Sequence, residues 1–165
     1  MNEREYRELF NLLHSIRDDL QVMLRIPAIP HSTGNCCAPM LLYSMTSASF
    51  LGSLVAPERI GKDQPAERIT AFLEYSDGTL TAGIDVAKVL DGLVSSFLPP
   101  KIGIGRDAGV HCMETNQGTF PVVNAEDWAS AVMYGIGGIE ARMACDTEFA
   151  AQLWDRVIHL GVVAE

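Results

Sequence analysis

The stretch from Cys36 to Ala56 carries no charged side chain, and this constrains the fold more than any other feature of the sequence. It is too long for one strand. Pro39 near its start, with Tyr43, Ser44, Thr46, Ser47, Ser49 and Ser53 along it, argues for a buried core helix rather than a membrane span. Proline is tolerated only in the first helical turn, so the helix starts near Cys36. Met40, Leu41, Leu42, Met45, Phe50, Leu51, Leu54 and Val55 leave it almost no wet face, so other elements must wrap it.

The flanking segments supply that wrapping. Tyr6, Leu9, Phe10, Leu13, Ile16, Leu20 and Met23 recur at helical steps and predict a helix over Glu3–Arg25. Asn2 and Glu5 form its capping box, and Pro27 and Pro30 end it. A third helix opens at Pro65 and carries Ile69, Phe72 and Leu73. A fourth covers Ile84–Phe97, closed by Pro99 and Pro100. Lys101–Val123 is irregular and rich in glycine, with an extended segment or hairpin at Thr119–Val123. Asn124 caps a fifth helix with Trp128, Val132, Ile136, Ile139 and Met143 on one side. Gly135, Gly137 and Gly138 permit tight packing there. A sixth runs over Thr147–Leu160, with Phe149, Leu153, Trp154, Val157 and Ile158 inward. The expected fold is all-α: a five- to six-helix antiparallel bundle forming a single helical domain over residues 1–165, with little strand.

Charge narrows the function classes. Twelve basic residues against 21 acidic ones give a net charge of −9, which repels a phosphate backbone and disfavours broad nucleic-acid binding. The Met1–Arg25 segment lacks the apolar core of a signal peptide, and the four cysteines form no CxxC pair. A cytoplasmic, reduced protein with no membrane association is the economical reading. His31, Cys36, Cys37, His111 and Cys112 match no zinc spacing, so neither a metal nor a cofactor is expected. Cys36 and Cys37 read as small core residues, and His14 and His159 as residues at the core edge. The runs Glu3-Arg4-Glu5 and Arg17-Asp18-Asp19 read as solvated helix faces.

One short stretch, Arg106-Asp107-Ala108-Gly109-Val110-His111, could carry chemistry. On a helical turn Asp107 and His111 share a face, and Gly105 and Gly109 let Arg106 converge on them. Such a set suits metal-free RNA cleavage. His111 would serve as general acid or base for 2′-hydroxyl attack, Arg106 would stabilise phosphoryl charge, and Asp107 would orient the imidazole. An Arg, a polar residue and a His at this spacing arise by chance in roughly one such composition in fifty. The bland alternative is a structural Arg–Asp pair with a capping His.

The stretch resembles the signature of the HEPN proteins: Arg, then Asn, Asp or His, then three residues and His. The layout is similar too, with a long amphipathic first helix, an apolar central one, and two helices after the motif. The resemblance implies a homodimer in which Arg106 and His111 of two protomers, with Asp107 between them in sequence, build one composite ribonuclease site acting on RNA, in a stress or phage response. The alternative is a non-catalytic binding or regulatory module that engages a protein partner through its acidic surface.

Overall fold

Asn2 starts the first helix as its spacing requires. Its side chain accepts the Glu5 amide at 3.0 Å while the Glu5 carboxylate accepts the Asn2 amide at 2.6 Å. The computed structural model describes residues 1–27, 36–57, 64–76, 80, 84–96, 101–106, 112–115 and 118–162. Helix α1 spans Glu3–Arg25 and buries Leu9, Leu13, Ile16 and Leu20, the face set by its three- and four-residue apolar steps.

Helix α2, Cys37–Val55, is the central element. Met40, Leu41, Met45, Ala48, Leu51 and Leu54 are fully buried in it. It packs most closely on α3 (Pro65–Ser76) and then on α5 (Ala125–Cys145). The α2–α3 contact is a backbone contact: a Cβ on Gly52 would overlap the Arg68 carbonyl. Among the described residues α2 alone is long and apolar enough to cross a membrane, and half of it is buried inside the fold, as befits a core helix. It is apolar nearly all round, as expected, but not buried all round, since Leu42, Phe50 and Val55 are only half-buried. Cys37 is half-buried as well. Cys37 packs against the edge of the core, while Cys36 precedes the helix in left-handed geometry, φ 57°, without a side-chain cap, so neither thiol is fully buried as its neighbours suggested.

Helix α4 (Val86–Ser96) lies against α3 and α2, and α6 (Thr147–His159) against α5, α1 and α2. The glycines of α5 divide by role. A Cβ on Gly135 would overlap the Phe72 ring unless the ring moved, whereas a Cβ on Gly137 would meet nothing within 4 Å. Trp128 and Trp154 are both core residues. Polar ties join the helices. Tyr43 Oη donates to Asp19 Oδ2 at 2.7 Å, and Arg17 Nη1 donates to Glu140 Oε2 at 2.8 Å. Arg156 Nη1 donates to the Leu54 carbonyl. The run Arg17-Asp18-Asp19 is therefore only partly a solvated face, because its outer members hold α1 to α5 and α2. His14 sits half-exposed between α1 and α5, and His159 is exposed.

The helical bundle carries one small sheet. Strands β1 (Gly103–Gly105), β2 (Cys112–Thr115) and β3 (Gly118–Asn124) lie in the order β1-β3-β2. The β2–β3 hairpin is antiparallel, with Thr115 opposite Gly118. The β1–β3 pair is parallel, with Gly105 opposite Asn124. The extended segment expected at Thr119–Val123 is β3. Strand β1, three residues of which two are glycine, has no period-two pattern to reveal it.

Candidate functional site

The parallel β1–β3 register decides where Arg106 goes. Gly105 pairs with Asn124, and Asn124 caps α5, accepting the Glu126 amide at 2.9 Å and the Asp127 amide at 3.3 Å. Arg106 therefore emerges beside the first turn of α5. Its Nε donates to Glu126 Oε1 at 2.7 Å, and Nη2 approaches the same oxygen at 2.6 Å. Nη1 donates to the Ile26 carbonyl at 2.7 Å and Nη2 to the Leu24 carbonyl at 3.2 Å. The last carbonyls of a helix lack intrahelical partners and carry partial negative charge, and here a guanidinium meets them at the end of α1. Glu126 in turn sits in the first turn of α5, where negative charge is favoured. Arg106 is an electrostatic staple between the end of one helix and the start of another, and only 4% of its side chain is exposed.

Of the three residues singled out for RNA chemistry, Arg106 faces inward. Asp107 and His111 lie outside the described residues. Glu126, which engages the guanidinium, is twenty residues away in sequence, and no local spacing signals the pairing.

Arg106 also acts on its surroundings. Burial pushes the Cys37 thiol above the ordinary range, and the nearby guanidinium offsets this only in part. Burial, reinforced by the Asp19 hydrogen bond and charge, likewise raises the Tyr43 phenol.

A different constellation forms between α3 and α4. Two cavities, about 590 Å³ and about 410 Å³, share Ala66, Glu67 and Ala87 in their walls, so they run together as one groove. Thr70, Ile84, Val86 and Leu90 contribute to the lining. Glu67 and Glu74 from α3 and Asp85 and Asp91 from the α4 side add carboxylates. Asp85 also caps α4, accepting the Lys88 amide at 3.1 Å. Among the described residues no three His, Cys, Asp or Glu side chains gather as a metal site requires. An apolar floor with acidic walls can hold a chain that alternates apolar and basic side chains. Nothing in the sequence marks these four acids out. The facing of α3 and α4 unites them, and that is a tertiary fact. Comparison with protein-family models, curated proteins and solved structures finds no match.

Proposed function

We propose that this chain is a non-catalytic binding module whose α3–α4 groove receives a basic segment of a partner protein. The observation that carries the reading is the groove itself, with its apolar floor and carboxylates on both walls. The net charge of −9 adds long-range attraction for a basic partner and repulsion for a nucleic acid. RNA cleavage at Arg106, Asp107 and His111 would need a guanidinium free to meet a phosphate. In this fold that guanidinium is turned inward, onto Glu126 and two carbonyls.

The test is fluorescence anisotropy with a labelled peptide alternating Lys and Leu, beside one alternating Glu and Leu. The basic peptide binds and the acidic one does not. Binding weakens with salt, because exposed charges are screened. Glu67→Lys with Asp91→Lys weakens it by about tenfold or more, the equivalent of roughly 1.4 kcal/mol, whereas Glu3→Lys with Glu8→Lys on α1 changes it less. Equal binding of both peptides would defeat the reading. So would cleavage of RNA by the purified protein without divalent ions that disappears in His111→Ala.

A further inference from the structure

Val94 is the most exposed large aliphatic side chain among the described residues, at 68% exposure. It lies one turn beyond Leu90 on α4. Ala87, Leu90 and Val94 follow one another at four- and three-residue steps, so they share one face over about two helical turns, roughly 10 Å. Ala87 and Leu90 line the α3–α4 groove, and Val94 carries its apolar floor onward into solvent. The α3 wall is built from small side chains there. Ala66 and Ala71 offer only methyl groups, and Thr70 donates its hydroxyl back to the Ala66 carbonyl at 2.9 Å.

Both walls of the groove are helices, so beyond their end turns their backbone groups bond within the helix. An extended segment laid between them would bring a row of N–H and C=O groups and find no ladder to join. A helix brings its own hydrogen bonds. Given that the groove receives a basic segment of a partner protein, as proposed above, we infer that this segment binds as an amphipathic α-helix, the third member of a layer with α3 and α4. Its apolar residues recur at i, i+3 or i+4, and i+7, matching the two turns from Ala87 to Val94. Lys or Arg flanks that stripe on both sides, toward exposed Glu67 on α3 and exposed Asp85 and Asp91 on α4. The small side chains of the α3 wall let the helix axis come close enough for its apolar residues to reach the floor. Helix α3 has 12 residues and α4 has 11, so a partner helix of about three turns spans the site. Val94 is then covered.

Two labelled peptides of about 14 residues and equal Lys and Leu content test it by fluorescence anisotropy against the full chain, one with Leu at helical steps and one in strict alternation. The helical-period peptide binds more tightly by about tenfold or more, and the complex shows more helix by far-UV circular dichroism than its separate parts. Val94→Gln removes the apolar end of the floor without adding charge, and weakens that peptide by roughly fivefold or more. Val22→Gln, at a similarly exposed position on α1, leaves its affinity unchanged. Unchanged helicity of the two free variants verifies their fold. Equal affinity for the two peptides, binding without a gain in helix, or full affinity in Val94→Gln overturns the helical inference and leaves the groove reading standing. Binding of neither peptide removes both.

Discussion

Arg106 and Glu126 meet at 2.7 Å because strand β1 lies parallel to β3 and delivers the guanidinium to the first turn of α5. The two sides of the pair differ in exposure, 4% for the Arg106 side chain and 37% for that of Glu126. Removing them therefore has unequal consequences. Glu126→Ala takes a carboxylate partner from a buried cation and should lower unfolding free energy by about 2–4 kcal/mol, toward the low end for a buried pair because Glu126 is partly hydrated. Arg106→Met leaves Glu126 and the Ile26 end of α1 able to take up water, and should cost about 1 kcal/mol or less. The double variant should recover most of the Glu126→Ala loss. Urea denaturation of the three variants checks the order; an Arg106→Met loss larger than that of Glu126→Ala contradicts it.

Gly52 and Gly135 invert the usual helix rule. Alanine in an exposed helix interior is better than glycine by roughly 0.5–1 kcal/mol. Here a methyl at position 52 runs into the Arg68 carbonyl, which is backbone, and one at position 135 into the Phe72 ring, which can tilt. Gly52→Ala should destabilise by about 2–3 kcal/mol and Gly135→Ala by about 1–2, the range for overpacking. Thermal melts of both decide the sign. If either variant melts above wild type, the close packing of α2 on α3, or of α5 on α3, is misjudged.

The Tyr43–Asp19 hydrogen bond should make stability fall in alkali. The folded state holds the phenol proton more tightly than the unfolded chain does. Below about pH 10 the phenol is neutral in both states and the contribution is complete. Above that the unfolded chain ionises first, so the contribution drains away as pH climbs toward the raised folded value. Tyr43→Phe should cost about 1 kcal/mol at neutral pH and flatten the decline above pH 10. Urea midpoints between pH 8 and 11 provide the measurement, and parallel curves for the two proteins would refute the assignment.

The bundle was legible in the sequence because its helix ends carry local chemistry. The Asn2–Glu5 box, Pro65 at the first position of α3 and Asn124 before α5 act within a few residues of themselves, and each helix begins where they say. The inner faces of α5 and α6 followed from period alone. The candidate sites were not legible in the same way. Arg106 and Asp107 read as neighbours of His111; Asp107 and His111 lie outside the described residues, and the described contacts of Arg106 come from strand register and from the end of α1, eighty or more residues upstream. Cys36 and Cys37 read as core by the company they keep, yet they fall at the cap and first position of α2, and only Cys37 packs, half-buried, against the core. Glu67, Glu74, Asp85 and Asp91 are ordinary surface acids until α3 and α4 are laid side by side.

Two opposed effects meet at Cys37, and their balance can be measured. A guanidinium nearby favours the thiolate, but burial disfavours it more, so the thiol stays above its ordinary range. Arg106 is already paired with Glu126, whose own charge adds to the upward push on the thiol. Alkylation by iodoacetamide at pH 8, followed by peptide mass spectrometry, should therefore modify exposed Cys145 at least several-fold faster than Cys37. Arg106→Met removes the lowering influence and should slow Cys37 further, while Glu126→Gln should speed it. If Cys37 reacts as fast as Cys145, the cation prevails over burial, and Arg106 is a less spent charge than its contacts imply.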